Sequence, residues 1–211
     1  MTAKNGGGQV VMVARFTLKP NHKDNGAAFE EAFGGYKDVV ARHDGALGAE
    51  LLGSTRRPDG YLLLTWWRDA AAKQAMMSDP DFFREIGTRF FGLATLDRVY
   101  GVVVAGATGG WQGDQHPVVT LSRYDLPEDV TAEAFERSFA AEAEQAGGAL
   151  AYQLAHASPD LVGPSSGIDA HLGIIWWRDT PAALEVSPAA ADTDEYRRLD
   201  SGIGAALAPT A

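Results

Sequence analysis

Residues 10–18 (VVMVARFTL) are apolar and rich in β-branched side chains, a pattern that predicts a strand. Phe29, Phe33, Tyr36 and Val40 then recur at the spacing of one apolar helix face. A second strand is predicted to open at Gly45-Ala46-Leu47. After the turn Arg57-Pro58-Asp59-Gly60 a third follows, GYLLLTWW. Ser78-Asp79-Pro80 has the signature of a helix start, with an acidic cap and a proline suited to the first turn. A last strand is expected over 98–105, where Val99, Val102, Val103 and Val104 cluster.

The same series is written again. Residues 118–126 (VVTLSRYDL) match the first strand, with Arg123 against Arg15 and Tyr124 against Phe16. Phe135, Phe139 and Ala143 repeat the helix face, and Gly148-Ala149-Leu150 repeats the second strand opening. Trp-Trp-Arg-Asp occurs at 66–69 and again at 176–179. The offset is 108 at Arg15/Arg123, 106 at Phe29/Phe135, 103 at Gly45/Gly148 and 110 at Trp66/Trp176, a drift expected of loop insertions between duplicated elements. Residues 191–197 align with 78–84 and predict a second N-capped helix, leaving 202–211 as a weak final strand.

Each half therefore reads β-α-β-β-α-β, the split βαβ or ferredoxin-like unit. The expected fold is α+β: two tandem ferredoxin-like repeats joined as an internal pseudo-dimer. The expected organisation is an N-terminal extension over 1–9, a first domain over 10–105, a Gly-rich linker over 106–116 and a second domain over 117–211. The pairing has a physical motive, because a four-stranded sheet with helices on one face leaves its other face bare.

Composition narrows the function. A net charge of −10 opposes nucleic-acid binding and anionic membranes, both of which call for a basic surface. The chain has no cysteine, which removes disulfides, thiolate metal sites and cysteine nucleophiles. The start of the sequence lacks a signal-like apolar stretch and no run is long enough to span a bilayer, so a cytoplasmic protein is expected. The five histidines make no metal-ligand spacing, and no metal is expected.

The strings VARFTLKP, FEEAF, GALGAELL, GYLLLTWWRD and SDPDFFRE together resemble the antibiotic biosynthesis monooxygenase family, whose fold is the dimeric α+β barrel. Both halves share the resemblance. The tandem arrangement is similar to the oxygenases that open a ring of angucycline polyketides. The resemblance implies oxygenation by O2 of an electron-rich polycyclic phenol, anthrone or hydroquinone in antibiotic biosynthesis, without metal or haem. It implies no bound cofactor and leaves externally supplied reduced flavin open. A non-oxidative cyclase or isomerase and a non-catalytic binding protein for a polycycle are the rival readings. The functional tryptophan of the family falls on Trp67 and, by the repeat, on Trp177. The asparagine that polyketide oxygenases carry four residues earlier is replaced by Leu63 and Gly173. The haem-degrading branch is disfavoured, since its first-strand asparagine is Ala14 here and 81–88 contain no histidine.

The expected substrate pocket is walled by Trp67, Leu63, Phe29, Phe33 and Met76, with a counterpart from Trp177, Phe135, Phe139 and Tyr152. His171 shares a strand face with Trp177 and is the first candidate general base; His156, on a neighbouring strand, is the second. Arg15 and Arg123 lie within apolar strands and need partners, either a substrate phenolate or a carboxylate such as Glu50. The chain is expected to act as a monomeric pseudo-dimer or a homodimer.

Overall fold

A computed structural model describes residues 8–20, 25–108, 118–157, 161, 170–179 and 190–202. Strand β1 spans Val10–Leu18, helix α1 Asn25–Arg42, β2 Ala46–Ser54 and β3 Gly60–Trp67. A helical stretch follows: α2 Ala70–Met77, α3 Pro80–Phe82, a π turn Phe83–Gly87 and α4 Thr88–Leu93. Strand β4 is Ala94–Thr108; the second half contributes β5 Val118–Tyr124, α5 Ala132–Gln145, β6 Ala149–Ala157, β7 His171–Trp177 and β8 Ala190–Gly202. No helix among the described residues is long and apolar enough to cross a membrane.

The strands close into one barrel in the order β1-β3-β2-β8-β5-β7-β6-β4. Each half keeps the ferredoxin-like order, β4-β1-β3-β2 and β8-β5-β7-β6. The halves join edge to edge through β2 with β8 and β4 with β6, all antiparallel. Closure leaves neither sheet with an exposed edge. Strand β4 is long because it serves both halves: residues 94–102 pair with β1 and 101–108 with β6. It thus enters the stretch expected to be linker and ends at Thr108.

The second half departs from expectation at its end. Residues 191–197 lie within strand β8, not a helix, and pair with β5 at Val118–Arg123 and with β2 at Gly53 and Ser54. Asp192, Asp194 and Glu195 are poor strand formers, but β5 supplies their backbone partners, and tertiary pairing overrides propensity. Strand β8 is therefore the counterpart of β4, and the weak strand expected over 202–211 lies outside the described residues except for Gly202.

Strand alternation divides the tryptophans. Trp66 and Trp176 turn into the barrel with Val11, Val13, Leu62, Leu64, Val119, Leu121 and Ile174. Trp67 turns outward, beneath α1 and α2, and Trp177 beneath α5. Inside the barrel the two inner indoles lie 6.3 Å apart, and each reaches across to the other half. Trp66 donates to Gln153 Oε1 at 2.8 Å and Trp176 to Glu50 Oε2 at 3.1 Å. Glu50 and Gln153 are repeat equivalents, so the first tryptophan of each copy is a reciprocal latch between halves.

The rest of the motif shapes the strand ends. The backbone N–H of Arg68 donates to Gly45 O at 2.7 Å, and that of Arg178 to Gly148 O at 2.9 Å. Both glycines hold positive φ, 81° and 91°, which explains their recurrence. Asp69 caps α2 by accepting from Ala72 N at 2.8 Å; this bond, then Arg68, holds its carboxyl below the usual range. Arg68 itself is a solvated charge beside Asp69 and Asp44.

Candidate functional site

A partly open cavity of about 50 Å³ lies in the first half, between the outer face of the sheet and the helical cover. Register explains its floor. Met12 faces Tyr100, Ala14 faces Arg98 and Phe16 faces Leu96 across β1 and β4, while Leu63 stands beside Ala14 on β3. Alternation turns all of these side chains toward the helices. Ala14 is small, and its lack of bulk in the middle of the floor leaves depth. Tyr36 of α1, Met77 of α2 and Phe82, Phe83, Phe90 and Phe91 of the helical run complete the walls.

Three polar side chains border this apolar space. Tyr36 is buried, and its hydroxyl is paired with Thr65 Oγ1 at 2.7 Å. The Tyr100 hydroxyl donates to Met77 Sδ at 3.5 Å, a weak acceptor. Arg98 is exposed at the rim, its guanidinium carbon 5.9 Å from the Tyr100 ring centroid. Burial pushes the phenols of Tyr36 and Tyr100 upward; Thr65 partly offsets this for Tyr36, and Arg98 for Tyr100. Both therefore stay protonated near neutral pH and are competent hydrogen-bond donors.

A second cation stands behind this wall. Lys73 Nζ lies 4.4 Å from the Tyr100 ring centroid and donates to the carbonyl of Leu161, a second-half residue packed against the first-half core. Burial, then Arg98, lowers the affinity of Lys73 for its proton. Tyr100 is thus held between a cationic neighbour on α2 and another on its own strand.

Of the expected first-half wall, Leu63 alone borders the cavity. Trp67 stands one layer back, its ring 6.3 Å from Tyr100 and its N–H donating to Met76 Sδ at 3.3 Å. Phe29 packs on Phe16, Tyr61 and Phe90, and Phe33 on Tyr36, so both are core aromatics. Tyr36, Arg98, Tyr100 and the Phe82–Phe91 cover went unselected by sequence. The common parity of Leu96, Arg98 and Tyr100 along β4 is the one local signal, and it bears on Arg98 and Tyr100 alone.

At the position in the second half that corresponds to Leu63, aromatic rings take up the space. Gly173 occupies the Leu63 position, and a Cβ there would lie 2.8 Å from Phe139 and 2.9 Å from Tyr124. Tyr124, Phe135, Phe139 and Tyr152 form a continuous aromatic cluster. Tyr152 donates to Glu144 at 3.0 Å, and burial, then Glu144, lifts its phenol to about 12. Trp177 donates to Thr120 Oγ1 at 3.0 Å.

The four expected catalytic residues lie away from the first-half cavity. His171 and His156 stack at 4.7 Å on the helix side of the second half, with His171 Nε2 3.3 Å from Glu136 Oε1. Arg15 and Arg123 share the parity of the inward-facing residues of their strands and sit at the barrel ends. Arg15 pairs with Asp194 at 3.6 Å, and Arg123 with Asp125 at 2.8 Å. The carboxylate partner expected for Arg15 is thus Asp194; Glu50 pairs with Arg198, Nε to Oε1 at 3.1 Å. Among the described residues no group of three or more His, Asp or Glu side chains is arranged to hold a metal ion.

A closed eight-stranded α+β barrel made of two fused ferredoxin-like units, with an apolar cavity under the helices of one unit, defines the class of protein. Residues 9–84 match the family described as antibiotic biosynthesis monooxygenase. No match was found among curated proteins. A protein of Fusobacterium nucleatum subsp. nucleatum, provisionally assigned as a monooxygenase, is 12% identical and covers 95% of this chain and 96% of its own, with a TM-score of 0.71. An anthrone oxidase-like protein is 12% identical over 92% of each chain, with a TM-score of 0.65. SnoaB, a cofactor-independent oxygenase from Streptomyces nogalater, is 26% identical over 44% of this chain and 90% of its own, with a TM-score of 0.40. The two full-length likenesses establish a common fold. The family match supports an oxygenase role in general terms.

Proposed function

We propose that the chain oxygenates an electron-rich polycyclic phenol, anthrone or hydroquinone, as in aromatic polyketide antibiotic biosynthesis, and does so in the first-half cavity. The observation that carries this reading is an apolar space bordered by two neutral phenols and a guanidinium. Arg98 favours the substrate anion and so promotes loss of its proton to solvent at the rim. The anion passes an electron to O2, and the two radicals combine to a peroxide. For an anthrone, loss of water then leaves one oxygen atom in the new carbonyl and the other in the water. The substrate supplies the electrons, so we assign no cofactor and keep reduced flavin as the alternative source.

Tyr100 exchanges its thioether acceptor for the developing oxyanion, and the gain is realised only as charge appears. Tyr36, backed by Thr65, is the second donor. The apolar walls exclude water that would weaken both contacts. Trp67 supports Tyr100 from behind.

Oxygen uptake with 1,8-dihydroxyanthrone tests the proposal, with and without reduced flavin. Arg98→Leu and Tyr100→Phe are each expected to slow uptake about 10²-fold, the cost of losing one oxyanion donor. Trp177→Phe is expected to leave it unchanged. Full turnover without oxygen would favour a cyclase or isomerase, and binding without product would favour a carrier; either result refutes the oxygenase reading.

A further inference from the structure

We propose that Phe83 and Phe91 form an aromatic gate that controls entry of planar multi-ring molecules to the first-half cavity. The proposal rests on the reading of that cavity as the reaction site. Phe83, Gly87 and Phe91 are spaced four apart on one helical run and so share a face. Both phenylalanines border the cavity, yet they are 46% and 48% exposed, the two most exposed large hydrophobic side chains described. Core packing does not account for two such rings side by side at an opening.

The glycine between them completes the geometry. A Cβ built on Gly87 would lie 3.6 Å from Phe91 Cε2 and 3.8 Å from Phe83 Cδ1. The rings therefore flank a notch that the absent side chain keeps open. The notch is carried by the π turn Phe83–Gly87, a less regular turn of the kind frequent at functional sites.

Size requires the gate to move. The space of about 50 Å³ is small beside the roughly 300–1,000 Å³ of ordinary ligand pockets. An exposed ring turns on the picosecond to nanosecond scale, so the two phenylalanines are the least costly part of the wall to displace. A flat aromatic passing between them stacks on both faces, whereas a puckered ring system meets two edges.

Stopped-flow quenching of tryptophan fluorescence under anaerobic conditions separates this from turnover. The probes are 1,8-dihydroxyanthrone, with three fused rings, and 1,4-dihydroxybenzene, with one. Phe83→Ala and Phe91→Ala are each expected to raise association and dissociation rates of the tricycle on the order of tenfold, leaving the single ring within about twofold. Gly87→Leu, which fills the notch, is expected to slow the tricycle. Unchanged tricycle rates in both alanine variants, with wild-type binding intact, overturn the gate alone. Absence of binding by either probe to the wild type overturns the assignment of the cavity itself, and the gate with it.

Discussion

The barrel interior holds a charge difference between otherwise equivalent halves, and it can be erased by swapping residues already present. Trp176 donates to Glu50, whose carboxylate lies 3.1 Å from the buried guanidinium of Arg198. The equivalent Trp66 donates to the neutral Gln153. Arg198 pairs in register with Leu52 of β2, as Val103 pairs with Ala155 of β6, so Val103 stands where Arg198 does. The second-half pattern thus shows that the latch works with a neutral acceptor and an aliphatic neighbour.

Burial pushes the Glu50 carboxyl upward, and Arg198 and the indole N–H pull it back, so each charge depends on the other. Glu50→Gln keeps an acceptor for Trp176 but removes the carboxylate charge that Glu50 presents to Arg198. The side chains are 6% and 1% exposed, so solvent offers little compensation, and breaking a buried pair costs about 3–5 kcal/mol. At the lower figure the melting temperature of a chain this size falls by about 6–12 °C. The double variant Glu50→Gln with Arg198→Val recreates the Gln153/Val103 arrangement and is expected to recover to within about 1 kcal/mol of wild type, since replacing both charges avoids an uncompensated ion. Urea denaturation of wild type, both single variants and the double variant gives the coupling directly. A double variant no more stable than the weaker single would refute the equivalence and the charge argument together.

Other consequences are independent of that pair. Gly45→Ala places a Cβ 2.6 Å from Ala72 Cβ at a φ of 81°, whereas Gly148→Ala at φ 91° has no neighbour within 4 Å among the described residues. Both should lose about 1–2 kcal/mol from backbone strain, with Gly45→Ala losing clearly more; equal losses by chemical denaturation would contradict the contact. Gly173→Ala should cost about 1–3 kcal/mol by overpacking against Phe139 and Tyr124, and an unchanged melting temperature would show that the aromatic cluster is loose. Burial lifts the phenols of Tyr36, Tyr100 and Tyr196, so the folded state holds these protons more tightly than the unfolded chain. Their contribution is complete below the ordinary tyrosine value of about 10 and declines as pH rises above it. Absorbance titration of phenolate should show delayed ionisation followed by cooperative unfolding; all tyrosines titrating freely near pH 10 would refute their burial.

Much of the architecture was legible along the chain. The duplicated order of elements, the paired glycines at 45 and 148 and the alternation separating Trp66 from Trp67 are local patterns, and period two obliges adjacent strand residues to face opposite ways. The motif strand was legible as well, because its eight residues are buried on both faces.

Tertiary structure decided the rest. Alternation defines two faces but does not say which one closes inside a barrel, and only edge pairing between the halves sent Trp66 and Trp176 inward. Asp192, Asp194 and Glu195 read as part of a helix start, whereas pairing with β5 makes them strand. The cavity arises where Ala14, Arg98 and Tyr100 meet across strands far apart in sequence, beneath a helical run in which Phe83 and Phe91 remain half exposed. At Gly173 in the second half, Phe139 and Tyr124 settle where the Leu63 side chain stands in the first. Such outcomes depend on which volumes meet across strands, and volume complementarity leaves no periodic trace in one dimension.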